Sequence, residues 1–236
     1  MKFLIACGGT AGHINPGLAA ADALRALLPG SDFLFVGSGR KMESKLVPEA
    51  GYKLRNIVMR GLERGISPKT LVSDAQALWL LVSASRKAAK LVREFAPDFV
   101  LGTGGYICYP VLTAAARLGI KTAIHESNAV PGLTSKLLSG KVTRVFTAFE
   151  GMGMLFSASD RVVATGTPVR SDFFGYNREK ARKELGIDAD TRLVVSFWGS
   201  LGASKMNEVM AEMIRRNAER RAFCQIHAIG GASDIE

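Results

Sequence analysis

Short apolar runs with the composition of β-strands alternate along this chain with longer stretches whose apolar residues recur at helical spacing. The strand-like runs are residues 2–6, 32–36, 53–58, 99–101, 121–124 and 144–147. Helical patterns fall between them at 16–28, 42–50, 69–95, 109–118 and 131–138. Pro16 and Pro131 are placed in first helical turns, where a missing N–H costs nothing. Alternation of this kind predicts an α/β fold, a parallel sheet covered by helices. A second unit is expected from residue 165, giving domains 1–164 and 165–236. In it Asn177 reads as the cap of a helix over 178–185, followed by a strand at 192–197, a helix at 204–220 and a strand at 223–229. A self-standing domain takes roughly 100–150 residues, so this second unit is expected to be incomplete.

Three glycine turns follow predicted strands. They are Gly8-Gly9-Thr10-Ala11-Gly12-His13, Gly102-Thr103-Gly104-Gly105-Tyr106 and Gly199-Ser200-Leu201-Gly202-Ala203. Backbone N–H groups in such a turn, aided by the N-terminus of the next helix, can cradle a phosphate. One glycine turn alone serves equally well simply to fold the chain. Three of them at strand C-termini fit a ligand crevice of an open α/β sheet. The first has neither dinucleotide GxGxxG spacing nor the lysine and hydroxyl of a P-loop. His13 closes this loop, and imidazole near neutrality suits a general base. His125-Glu126-Ser127-Asn128 ends the fifth strand, where the His-Glu pair either braces a loop or lines a site. His227, in a predicted strand, reads as structural.

Composition narrows the partners. Lys and Arg number 31 against 21 Asp and Glu, a net charge of +10. That surplus suits an anionic partner, either phosphorylated substrate or acidic membrane. No nucleic-acid partner is expected, because no reading motif is visible and aromatics are not interleaved with the basic residues. Cys7, Cys108 and Cys224 are odd in number and widely spaced, which argues against disulfides or a zinc site and fits a reducing compartment. The apolar stretch before Cys7 is shorter than the ~7–15 residues of a signal peptide core. Within the long third helix, Leu78, Trp79, Leu80, Leu81 and Val82 wrap beyond one stripe. They describe either a helix buried on two sides or a membrane patch at Leu78, Trp79, Leu81 and Val82, with Lys69, Arg86 and Lys87 nearby to meet anionic lipid.

The ordered segments GGTAGHINPGLA at 8–19, GLERG at 61–65, GTGGYICYP at 102–110, HESNAVPGLTSKLL at 125–138, GTPVR at 166–170 and GSLGASKMN at 199–207 resemble the GT-B glycosyltransferases of family 28. The similarity is to the group that transfers N-acetylglucosamine to lipid I in peptidoglycan synthesis. It covers essentially the whole chain. Ala11, Thr167, Trp198 and Leu201 depart from the family pattern, and the later donor-site motifs do not occur within these residues. The resemblance implies two Rossmann-like domains with a site in the cleft between them, the second incomplete here. The first would bind the lipid-linked acceptor, its diphosphate near Gly9, Gly104, Gly105 and Tyr106. The second would bind most of the UDP-sugar. UDP-N-acetylglucosamine contacts carried over by position are Thr10, Ala11, Gly12, Asn128, Arg170 and Ser200. The implied reaction is an inverting displacement by the muramyl 4-hydroxyl, with His13 as first choice of general base and Glu126 as second. No cofactor or metal is implied. The implied location is the cytoplasmic face of the bacterial plasma membrane, held peripherally. The alternatives are a non-catalytic module that holds lipid-linked diphosphate, and a related transferase with another lipid acceptor.

Overall fold

The computed structural model describes residues 1–58, 68–198, 203–220 and 222–228, with the backbone alone for 68–79. Two compact units form, Met1–Ser171 and Asp172–Glu236. The first is built on β1 (Lys2–Cys7), α1 (Ala11–Leu27), β2 (Asp32–Gly37), α2 (Lys41–Glu49), β3 (Lys53–Asn56), α3 (Pro68–Phe95), β4 (Phe99–Gly104), α4 (Cys108–Arg117), β5 (Lys121–Glu126), α5 (Leu133–Ser139), β6 (Arg144–Thr147) and β7 (Val162–Ala164). All seven strands pair in parallel, in the order β3-β2-β1-β4-β5-β6-β7.

Side chains alternate across a strand, so β1 feeds two cores at once. Leu4 and Ala6 join Val36, Val100 and Ile124 beneath Ala84, Ala88 and Val92 of α3 and Val111 and Leu112 of α4. Phe3, Ile5 and Cys7 join Phe33 and Phe35 beneath Ile14, Leu18 and Ala21 of α1. Covered on both faces, these strands read as unbroken apolar runs rather than alternating ones.

Three expectations change. α1 begins at Ala11, so Pro16 lies inside it rather than in its first turn, and is buried. The helix opens ahead of it, with His13 N–H and Ile14 N–H both on the Thr10 carbonyl at 3.0 and 3.1 Å, and the proline withholds the N–H that would otherwise meet the Gly12 carbonyl. α5 begins at Leu133 behind a Gly132 cap, so Pro131 precedes the helix. β7, a seventh strand, extends the sheet beside β6.

The second unit holds α6 (Arg178–Glu184), β8 (Leu193–Phe197), α7 (Ser204–Arg220) and β9 (Cys224–Ala228), with β8 and β9 paired in parallel. Asn177 caps α6 as expected, its side-chain oxygen accepting from Glu179 N–H at 2.8 Å and Lys180 N–H at 3.2 Å. Buried Arg182 ties α6 to the turn before β8 by donating to the carbonyls of Asp188 and Thr191. His227 links the strands to α7: its Nδ1 meets Ser196 Oγ at 2.8 Å and its Nε2 meets Asn207 Oδ1 at 3.1 Å.

Candidate functional site

The strand order of the first unit reverses between β1 and β4. Chains leaving these neighbours diverge to opposite sides, which opens a crevice at their C-terminal ends, the usual ligand position in open α/β sheets. The first two glycine loops leave β1 and β4 at this point.

Thr10 is extended and precedes α1, while Ala11 and Gly12 open its first turn. Ala11 takes no left-handed conformation; among the described residues other than glycine only Ala96 does. Alanine therefore fits where the family pattern has glycine. His13 lies in the same turn, half-buried, and its Nδ1 sits 3.0 Å from the Gly8 carbonyl oxygen. A carbonyl only accepts, so Nδ1 carries the proton and the neutral ring keeps its lone pair on Nε2. From β4, Thr103 Oγ donates to the His13 carbonyl at 2.7 Å. Gly104 and Gly105 both have positive φ, +124° and +89°. A Cβ at Gly104 would collide with the His13 ring, and one at Gly105 with the Gly8 carbonyl oxygen. Only glycine lets the two loops meet this closely. Tyr106 follows at half exposure.

Behind the first loop lies Glu43 of α2, completely buried. Its Oε1 accepts from Ser38 Oγ at 2.6 Å, Ser38 N–H at 3.0 Å and Arg40 N–H at 3.1 Å, and its Oε2 from Gly9 N–H at 3.3 Å. Burial pushes its carboxyl up, but these hydrogen bonds outweigh that and hold it below the usual carboxylate range. It is an ionised buried group. Sequence reading missed it; its one local signal is a Glu three residues into a helix start, the acidic partner of a capping box.

The loop after β5 is organised by Glu126. Its Oε1 accepts from Asn128 N–H at 2.9 Å and Asn128 Nδ2 at 2.7 Å, and its Oε2 from Gly132 N–H at 2.9 Å. Burial raises its carboxyl, yet these bonds and one from Ser135 bring it below the ordinary range. A carboxylate can only accept, so the Asn128 amide must turn its nitrogen inward. Asn128 itself is exposed, with its Oδ1 and second amide proton left for a ligand. His125 is buried; its Nε2–H donates to the Gly166 carbonyl at 2.9 Å while Ser127 Oγ approaches its Nδ1 at 3.3 Å. Burial lowers its basicity below the usual histidine value. Gly166 begins the GTPVR segment, in which Arg170 is half-buried.

Of the site residues expected from sequence, the structure brings Gly9, Thr10, Ala11, Gly12, His13, Gly104, Gly105 and Tyr106 to the β1–β4 switch. Glu126 and Asn128 lie at the end of the next strand, β5. Ser200 lies outside the described residues, as do the side chains of Leu78 and Trp79. Leu81 is half-buried and Val82 is 44% exposed.

A parallel sheet with paired glycine loops at its switch point defines a Rossmann-like ligand-binding domain, and comparison with known proteins makes the class specific. Residues 3–147 match the glycosyltransferase family 28 N-terminal domain. The chain belongs to glycosyltransferase family 28, and its fold is of the GT-B type. It is 44% identical over 232 residues to the UDP-N-acetylglucosamine–N-acetylmuramyl-(pentapeptide) pyrophosphoryl-undecaprenol N-acetylglucosamine transferase of Acetivibrio thermocellus, covering 98% of this chain and 62% of that one. The transferase of the same name from Ruminiclostridium cellulolyticum is 43% identical with the same coverage. The chain thus spans under two thirds of the length of these curated relatives. Among solved structures, Acinetobacter baumannii MurG superposes with a TM-score of 0.64 at 26% identity, over 91% of this chain and 57% of that one. A UDP-GlcNAc 2-epimerase from Neisseria meningitidis shares the fold at 14% identity and a TM-score of 0.63, over 97% of this chain and 65% of that one.

Proposed function

We propose that this chain carries the acceptor-binding domain, and the start of the donor-binding domain, of an inverting glycosyltransferase. Its donor is UDP-N-acetylglucosamine and its acceptor the muramyl 4-hydroxyl of lipid I, the undecaprenyl-diphosphate-linked muramyl peptide. The names of the relatives supply the substrate pair. The observation that carries the mechanism is His13, held with Nδ1–H on the Gly8 carbonyl and its Nε2 lone pair unspent.

In this reading His13 Nε2 takes the proton of the acceptor hydroxyl as that oxygen bonds to the anomeric carbon. The bond from that carbon to the UDP oxygen breaks, and UDP leaves with the electron pair. The amides of Ala11 and Gly12 at the positive end of α1 suit the charge that grows on a diphosphate. Thr10 and Arg170 add a hydroxyl and a guanidinium for phosphate oxygens, and Ser200 is the donor contact that the family resemblance adds to them. Gly104, Gly105 and Tyr106 flank the acceptor side. Glu126 is better suited to setting the Asn128 amide than to taking a proton, because its carboxylate is already held ionised by four donor groups.

The test is transfer of N-acetylglucosamine to lipid I by the protein extended to the length of its relatives. His13→Gln should lower kcat by about 10²–10⁴-fold, the usual worth of a positioned general base. Turnover within a few-fold of the unmodified protein would rule His13 out.

A peripheral seat on the cytoplasmic face of the membrane fits the +10 charge and the exposed Val82 beside exposed Arg86 and Lys87 on α3. Among the described residues no helix is long and apolar enough to cross a membrane. Co-sedimentation with anionic but not neutral vesicles is expected; equal recovery with both would remove the electrostatic part of this reading.

A further inference from the structure

Two hydrogen bonds of the site meet on a single peptide. The carbonyl of Gly8 accepts from His13 Nδ1 at 3.0 Å. The N–H of Gly9 belongs to the same peptide plane and donates to Glu43 Oε2 at 3.3 Å. We propose that Glu43 is a positioning residue for His13, acting through the Gly8–Gly9 peptide: carboxylate, peptide N–H, peptide carbonyl and imidazole form one line.

The physical reason is polarisation. A peptide whose N–H donates to an anion carries more negative charge on its oxygen, because amide resonance moves electron density from nitrogen to oxygen. The Gly8 oxygen is then a stronger acceptor, which favours the Nδ1–H form of His13 and keeps the ring's lone pair on Nε2. The imidazolium formed after proton transfer is stabilised by the same oxygen. A buried carboxylate thus supports the imidazole while staying out of reach of an anionic diphosphate that a direct carboxylate neighbour would repel.

The surroundings fit this role. Glu43 is fully buried and Gly8 is buried. Three further donors, from Ser38 and Arg40, occupy the other carboxylate oxygen and hold Oε2 toward Gly9. The second glycine loop closes the other side, with Gly105 packed on the Gly8 oxygen so tightly that a Cβ would overlap it. Water is thereby kept from the carbonyl that reads the carboxylate.

The proposal rests on the reading of His13 as the base, but its first test needs no turnover. Nitrogen-15 spectra of the imidazoles report the tautomer directly, and the three histidines, His13, His125 and His227, are separable by substitution. Neutral His13 is expected almost wholly as Nδ1–H. In Glu43→Gln the Nδ1–H fraction should fall clearly, whereas in Glu126→Gln, which removes the other buried carboxylate among the described residues of this unit, it should not. Nε2–H as the main form in the unmodified protein would overturn the proposal, as would equal shifts in both variants, the mark of general loosening. If Glu43→Gln does not fold, Glu43→Asp serves the same comparison, since it keeps the charge but stops one methylene short of Gly9.

Partners one step behind a metal-bound imidazole are worth about 10–100-fold, and the same scale applies to the extended enzyme. With a peptide between, Glu43→Gln should lower kcat by about tenfold at little change in KM; a rise in KM alone contradicts the proposal. The two readings fail separately. An active His13→Gln enzyme removes the base but leaves the tautomer link standing, while an unmoved tautomer in Glu43→Gln removes the link and leaves the base.

Discussion

The two units draw on the same local signals and bury very different fractions of what those signals produce. In the first, β1, β2 and β5 each bury five of their six residues. In the second, β8 buries one residue of five and β9 none, with Val195 53% and Phe197 69% exposed. Both units contain a parallel pair joined by a long helix. Helices pack on both faces of the seven-stranded sheet, so β1, β2, β4, β5 and β6 each serve two cores. In the second unit α7 buries only Asn207 and Met210, and much of the strand surface remains open. Local pattern decides which element forms; neighbouring elements decide what it contributes to stability, and a two-stranded sheet alone contributes little.

The largest effect that could break this comparison is a core truncation. Phe35 has no exposure and packs against Tyr52, with ring centroids 5.0 Å apart. Phe35→Ala should cost about 3–5 kcal/mol, the range for a buried aromatic that leaves a cavity. Phe197→Ala, at an exposed position, should stay within about 0.5 kcal/mol. Denaturant unfolding followed by amide exchange in each unit separates the two. Similar losses at both sites would mean that Phe197 is covered in solution.

Most of the first unit was legible because its strands are apolar runs of ordinary length between helical patterns. What escaped did so for local reasons. β7 has three residues, apolar but none buried, a run too short to read as a strand from its pattern. The start of α1 is hidden in sequence because Pro16 reads as a helix opener, whereas the Thr10 carbonyl, six residues upstream, already closes a turn. The glycine loops and His13 were found from sequence because their spacing is local. The role of Glu43 was not, since 34 residues separate it from the Gly9 N–H it accepts. In sequence it sits among Arg40, Lys41 and Ser44, the look of a solvated helix end. Glu126 was read as a spare base because its four donors, from Asn128, Gly132 and Ser135, become visible only once the turn into α5 is known.

The smaller effect concerns acid, and it sharpens the contrast between the units. Glu43, Glu126 and His125 all lie in the first unit, and all bind protons less readily than usual there. A group whose proton affinity is lower when folded stabilises the fold above its ordinary value and stops doing so as pH falls through its folded value. For His125 that contribution is complete above 6.5 and fades as pH drops through its lower folded value. For the two glutamates it is complete above 4.5 and is lost below, through their own lowered values. In the second unit the carboxylate held low is Glu212, paired with Arg215 and Arg216 on the open face of α7, where water and salt screen the pair. Exchange protection in β4 and β5 should therefore fall in two stages with acid, one beginning near 6.5 and a steeper one below 4.5, while β8 and β9 follow a flatter course. Glu126→Gln should cost about 1–3 kcal/mol at neutral pH, because donors that faced a carboxylate lose an acceptor. It should also flatten the stage below 4.5 and leave the one near 6.5 in place, since His125 keeps its burial and its bond to Gly166. An undiminished slope below 4.5 in that variant would mean the acid sensitivity of the first unit comes from elsewhere than the loop that Glu126 holds.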